Sequence, residues 1–388
     1  MIKNFIQRKK DKYLFSFFLL GIISGFFYLF KTNADLFFLD LDIYQKAINE
    51  FNLGNSAYKS YGGLYFVYSP YILIFFSWFN ENLTYFLLFF YILTLIFFLS
   101  LKQNRTIIYF SLISSIIFLN HSLVKSLISG NITIFLHLMI ITVYSLKDIK
   151  FKNIYFLIII FISSIIKPYM LAYLLLYINQ KNLFKSFIKI FLVSIIFLSF
   201  FSSQYFFYPN YFIDFINSLY NQSVGTPIVA DQDIGLAPYS IFSYFFDKKT
   251  SLILHFILIL IVFFSFYQKL LMSINLLDEK IKKKIYFFLM IILIIFLNPR
   301  MKIYDWWLEV AVSTAIIFTL VDYIKLNKNF IFFITVTIII VSLLAIIDSD
   351  FIKYLRVYTP PFVAIILCCS INKTNLKPVS ISKNLNFK

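Results

Sequence analysis

Cysteine is almost missing from this sequence. Two occur in 388 residues, Cys368 and Cys369, side by side in an apolar run. That placement excludes a disulfide framework and argues against thiol catalysis. Histidine is nearly as scarce, with only His121, His137 and His255. No spacing among them matches a ligand motif, so neither a metal nor any other cofactor is expected. Acidic side chains number 18 against 35 Lys and Arg, and all charged residues together make up only 14% of the chain. What fills the space is apolar: 61% of the residues are hydrophobic and 21% aromatic. A soluble domain has no use for that much apolar surface. Repeated apolar runs near the roughly 20 residues of a bilayer crossing predict an all-α polytopic membrane protein. No internal repeat stands out.

The runs predict about 11 to 12 spans, near 14–30, 84–101, 106–119, 130–146, 153–166, 169–180, 187–203, 251–268, 285–297, 306–324, 329–347 and 359–372. The first follows the basic stretch MIKNFIQRKKDK, and no small-residue cleavage site comes after it, so it reads as a retained span. The pair 153–166 and 169–180 has the lengths of two half-helices meeting at Lys167-Pro168. Proline breaks the hydrogen-bond ladder there, a break tolerated at membrane depth only inside protein or along a wet cavity.

The net charge of +17 would fit a nucleic-acid binder, but its distribution argues otherwise. With the N-terminus inside and the spans alternating, the inner connections hold 24 of the 35 basic residues and five of the 18 acids. Every inner connection is basic, which matches the positive-inside rule and makes the charge an orientation signal with some affinity for anionic lipid. The chain is thus expected in the plasma (inner) membrane with both termini cytoplasmic. One domain covers 1–372, and a short basic tail covers 373–388. The long loops, 31–83 and 204–250, fall outside, so the work is expected on the extracytoplasmic face.

The stretch FFLDLDIYQKAINEFNLG, residues 37–54, carries acids in the midst of grease. Ile43, Ala47 and Phe51 recur at steps of four, with Asp42, Gln45, Lys46 and Asn49 mostly elsewhere. That predicts an amphipathic helix suited to lie on the outer membrane surface. Asp40 and Tyr44 share an edge of it. Asp40 reads either as the helix N-cap or as a carboxylate at the water–lipid boundary that takes a proton from a hydroxyl. The DLD pattern also fits metal-dependent nucleotide-sugar enzymes, but those donors are cytosolic and this pair falls outside.

The segment DLDIYQKAINEFNLGNSAYKSYGGLYFVYSP resembles the first outer loop of glycosyltransferase family 87, the polyprenol-phosphate-mannose-dependent mannosyltransferases of GT-C architecture. The matching positions are Asp40, Tyr44, Gly54, Tyr58, Phe66, Tyr68 and Pro70. SGNITIF is similar to the family's Gly-Gln-x-Asn segment, with Gly130 kept and Asn131 and Thr133 in place of Gln and Asn. SSIIKPYMLAYLLLYI is similar to its Lys-x-x-Pro half-helix, shortened to Lys167-Pro168, and YNQSVG to its Asn-Gln-Ser segment at Asn221 and Gln222. LNPRMKIYDWWLEV sits where the family has a late outer turn containing proline. The resemblance runs over about residues 14–325. It implies a GT-C-like bundle with amphipathic outer-loop helices, a polyprenyl-phosphate sugar as donor, a lipid or glycan acceptor, and Asp40 as general base.

The remaining polar clusters allow two readings each. Lys167 either snorkels to the interface or meets a lipid phosphate. In NPRMKIYDWW, residues Arg300, Lys302, Tyr304 and Asp305 with the two tryptophans form an aromatic belt with a local ion pair, or Arg300 or Lys302 grips a phosphate, whose oxygens a guanidinium fork fits. Residues 219–240, with a second DxD at Asp231 and Asp233, are a solvated loop or a cover over the site. His121, Lys125 and Asn131 form a turn or line a donor cavity. A membrane glycosyltransferase leads. A transporter or flippase, a polysaccharide polymerase or ligase, and a non-catalytic assembly factor are its rivals.

Overall fold

The computed structural model describes residues 38–61, 64–101, 129–146, 152–177, 183–221, 237–298, 303–324 and 350–372, with a few isolated positions between. The predicted spans near 14–30, 106–119 and 329–347 therefore lie wholly or largely outside the described residues, as does most of the tail. The described part is mostly helical, 83% of it, with almost no strand. An antiparallel pair, β1 (Ser60–Tyr61) and β2 (Leu64–Tyr65), is its small exception.

Helix α1 is Leu39–Asn52. Leu41, Ile43, Tyr44, Ala47 and Ile48 are buried, while Asp42, Lys46 and Asn49 are exposed. The pattern is the amphipathic one expected, but the partner differs. Instead of lying on a lipid surface, the apolar face packs on α2 (Pro70–Ser77) and α3 (Leu83–Ser100). Tyr58, Phe66, Tyr68 and Phe76 make a buried aromatic bed around Tyr44. Each large apolar side chain buried this way stabilises by about 1.5–3 kcal/mol. A bed built from the chain itself is a stronger competitor than the edge of a headgroup layer.

The outward faces reverse the order found in a water-soluble helix. In α3, Leu83, Leu87, Tyr91, Thr94 and Phe98 face inward at steps of three and four. The opposite side, with Tyr85, Phe89, Ile92, Ile96 and Phe97, is exposed and still apolar. Helix α6 (Leu183–Phe207) goes further: Phe184 is 78% and Phe206 80% exposed. Among the described residues, the helices Asn80–Ser100 and Phe184–Phe207 are long and apolar enough to cross a membrane.

The next helix is enclosed by its neighbours. Helix α4 (Ile132–Ser145) is buried on nearly every side. It stacks on α3 through Tyr91 and Phe135, whose rings lie 3.7 Å apart. Helix α5 (Lys152–Ile166) packs beside it. Past Lys167 the chain turns into a 3-10 helix, Pro168–Tyr177, that runs back along α5. Tyr177 Oη donates to the Asn153 carbonyl at 2.7 Å, so the two legs form an antiparallel hairpin with Lys167 at its tip. The half-helices expected from the sequence therefore fold alongside one another. Proline at 168 sets the turn because it cannot continue the α5 ladder.

Helix α7 (Pro209–Tyr220) follows α6, and α8 (Pro238–Phe242) leads into α9 (Lys248–Ile274). Helix α10 (Glu279–Phe296) and α11 (Ile303–Tyr323) pack on one another, and α11 packs on α12 (Asp350–Cys369). The two regions expected as separate loops meet. Ser56 Oγ donates to Asp214 Oδ2 at 2.8 Å, and Ser218 Oγ donates to the Phe66 carbonyl at 2.8 Å. The α1 region is thereby fastened to α7 at one end of the bundle.

Candidate functional site

Asp40 is the second residue of α1. Its predicted role as N-cap does not hold. The flanking residue is Phe38, left-handed with φ 55°, and no side chain caps the helix. The Asp40 N–H is instead taken by the Ser129 carbonyl at 3.0 Å, which leaves the half-buried carboxylate out of the capping geometry.

That contact ties α1 to the turn before α4. Gly130 has φ +70°, and a Cβ there would lie 2.9 Å from Leu41 Cγ. Its carbonyl accepts from Tyr91 Oη at 2.8 Å. Gly130→Ala is expected to cost stability. Left-handed backbone costs a residue with a Cβ about 1–2 kcal/mol, and the branching carbon of Leu41 cannot swing aside as a chain tip would. A lower apparent melting temperature in detergent checks this, and an unchanged one contradicts it.

Tyr44 and Tyr68 join hydroxyl to hydroxyl through a short hydrogen bond. The rings cross edge to face at 5.0 Å. Tyr58 Oη donates to the Tyr68 carbonyl at 2.9 Å and fixes the backbone behind it. The Lys167 ammonium lies 4.4 Å from the centre of the Tyr68 ring, within cation–π range. Burial first, then the negative charge of Asp40, hold the Tyr68 phenol well above its usual pKa. For Tyr44 the causes are burial, then Tyr68, then Asp40. The phenols therefore stay protonated near neutrality and serve as donors and acceptors.

The next residues along the 3-10 helix reach a second cluster. Tyr169 Oη donates to Asp305 Oδ1 at 2.7 Å. His137 Nε2 meets the same oxygen at 2.9 Å, and Asn298 Nδ2 donates to Oδ2 at 3.1 Å. His137 Nδ1 meets Tyr173 Oη at 2.6 Å. His137 and Asp305 are fully buried. A carboxylate only accepts, so Nε2 donates to it, and in the neutral ring Nδ1 accepts the Tyr173 hydroxyl proton.

No known family model and no curated protein matches this chain.

Of the residues predicted for the site, Asp40, Tyr44, Tyr68 and Lys167 come together, and Asp305 joins them through Tyr169. Asn131 is close by, since Tyr44 Oη accepts, at 3.5 Å, from the N–H of Ile132, the next residue. It has a structural task, however: its side chain accepts from the Thr133 N–H at 2.9 Å and caps α4. Asn221 is exposed at the end of α7, and no hydrogen bond or ring contact among the described residues joins it to Asp40, Lys167 or Asp305. Gln222, Arg300, Lys302, His121, Lys125, Asp231 and Asp233 lie outside the described residues, and only the backbone of Tyr304 is described. Sequence reasoning passed over His137, Tyr169, Tyr173 and Asn298. For His137 a signal existed, because one ionisable residue interrupts the apolar run ITIFLHLMII.

Proposed function

We propose that this chain is a polytopic membrane glycosyltransferase of GT-C type, working on the extracytoplasmic side of the plasma (inner) membrane with a polyprenyl-phosphate sugar, in the manner of glycosyltransferase family 87. The observation that carries the reading is the grouping of one acid and one cation at the same end of the bundle. Asp40 is fastened through its N–H to Ser129, in the turn before α4, whose first residue Ile132 donates to Tyr44; Tyr44 bonds Tyr68, and Lys167 rests on Tyr68. The apolar outward faces of α3 and α6 support a lipid surround through which a prenyl tail can approach. The basic inner connections support the orientation.

In this mechanism Asp40 accepts the proton of an acceptor hydroxyl. The freed oxygen attacks the anomeric carbon from the face opposite the phosphate and inverts it. The bond from that carbon to the phosphate oxygen breaks, and its electron pair leaves with the lipid phosphate. Lys167 stabilises the charge gathering there, as a fixed cation in a water-poor site does most effectively. Mannose is the sugar the family resemblance favours, and a lipid or glycan hydroxyl is the acceptor.

The test is transfer from decaprenyl-phosphate mannose in membranes holding the full chain. Lys167→Met is expected to raise KM for the donor by an order of magnitude or more and to lower kcat. An unchanged KM for the donor overturns the assignment of Lys167. A lipid or glycan carrier is the second reading, and the buried His137, Asp305 and Glu309 give it support, since ionisable groups inside apolar helices also mark transport paths. Flux in proteoliposomes without covalent product would decide for it.

A further inference from the structure

A ten-residue 3-10 helix is an unstable thing by itself. Its hydrogen bonds are poorly aligned, and runs beyond three or four residues are uncommon. The one at Pro168–Tyr177 is held from outside, by tyrosine hydroxyls at steps of four: Tyr169 on Asp305, Tyr173 on His137 and Tyr177 on the Asn153 carbonyl. At about three residues per turn, side chains four apart point about a third of a turn away from one another. Tyr169 and Tyr173 therefore reach the His137–Asp305 pair from two directions, and both lie just beyond the Lys167-Pro168 tip.

We propose that His137 is a positioning residue for Lys167. Paired with Asp305, it pins the first turns of the 3-10 helix and so keeps the Lys167 ammonium against the Tyr68 ring. The proposal deepens the donor reading, on which it rests only in taking Lys167 as the ligand of the lipid phosphate. The chain of contact is continuous. His137 holds Tyr173 directly and holds the Asp305 oxygen that also receives Tyr169. Tyr169 is two residues from Lys167, and the Met170 N–H returns to the Lys167 carbonyl at 2.9 Å, closing the turn. On the other side, the Lys167 N–H donates to the Ser163 carbonyl at 2.8 Å. The backbone at Lys167 is thus set by α5 before it and by the tyrosine anchors after it. No part of this network requires His137 to touch the sugar or the phosphate.

The measurement is the rate at which Lys167 is acetylated by an amine-reactive ester in the purified full chain, read by peptide mass spectrometry. Lys185 and Lys189, exposed on α6, serve as internal references. His137→Leu is expected to raise the Lys167 rate several-fold with the references unchanged. His137→Gln should restore it, since its amide can still donate to Asp305. A Lys167 rate that stays at the wild-type level, or one that rises together with the references, overturns the proposal. If His137→Leu fails to fold, Tyr169→Phe and Tyr173→Phe each remove one anchor, and an unchanged Lys167 rate in both overturns it equally. Decaprenyl phosphate added to the wild-type chain separates the two claims. If it does not slow Lys167 acetylation, the donor reading fails, while the His137 result still stands or falls by itself.

Discussion

Asp40→Asn is expected to abolish sugar transfer while the protein still folds. A positioned general base contributes about 10²–10⁴ in rate, and an amide of the same shape cannot take the acceptor's proton. The backbone fastening of this turn does not depend on the side chain. The contact that fastens this turn of α1 to the rest uses the Asp40 backbone N–H, donated to the Ser129 carbonyl, and any side chain leaves it in place. The helix end is not capped by Asp40, so no cap is lost. Tyr44 and Tyr68 keep their mutual hydrogen bond. Asp42→Asn is the matched control. Asp42 lies on the exposed side of the same helix, 2.6 Å from Lys46 in a surface pair of the kind worth at most about 1 kcal/mol. Its loss should leave turnover unchanged. The check is single-turnover transfer from decaprenyl-phosphate mannose, with melting in detergent run alongside. Near-wild-type turnover in the Asp40 variant removes it as the base, and loss in the Asp42 variant moves the role two residues along.

The expectations that held were those governed by local rules. The step-of-four apolar pattern gives α1, and the long apolar runs give α3 and α6 within four residues of their ends, while α9 runs six residues past its expected end. Lys167-Pro168 breaks the chain where proline chemistry requires. Whatever depended on a distant partner was out of reach. Periodicity shows that α1 has an apolar face but not whether lipid or the bed of Phe66, Tyr68 and Phe76 receives it. His137 and Asp305 are 168 positions apart, and nothing in either neighbourhood names the other. Asp40 and Tyr44 come together by their helical spacing, Tyr68 joins them only through the family-like order of the motif, and Lys167 over Tyr68 required the fold. Asn131 shows the opposite lesson. Its place next to Gly130 marks it as a site residue by resemblance, yet its own chemistry, a short side-chain acceptor before an apolar helix, already describes a cap.

Asp305→Leu is expected to be the most destabilising single change. The carboxylate accepts from His137, Tyr169 and Asn298; Asp305, His137 and Asn298 are buried, and Tyr169 is partly buried. Removing it strands the buried His137 Nε2 donor and takes an acceptor from Tyr169 and Asn298. Leaving a buried donor without its acceptor costs about 1–3 kcal/mol, a sizeable share of the roughly 5–15 kcal/mol that typically separates folded from unfolded protein. The asymmetry of buried hydrogen bonds supplies the stricter test, because replacing both partners with apolar groups can be nearly neutral. His137→Leu in the Asp305→Leu background should therefore recover part of the lost stability, with a coupling of the 0.5–3 kcal/mol size seen for residues in one network. Melting of the wild type, both single variants and the double variant in the same detergent measures that coupling. A coupling of zero would mean that His137 and Asp305 are neighbours without dependence, and the 3-10 helix would then need some other anchor to hold Lys167 where it lies.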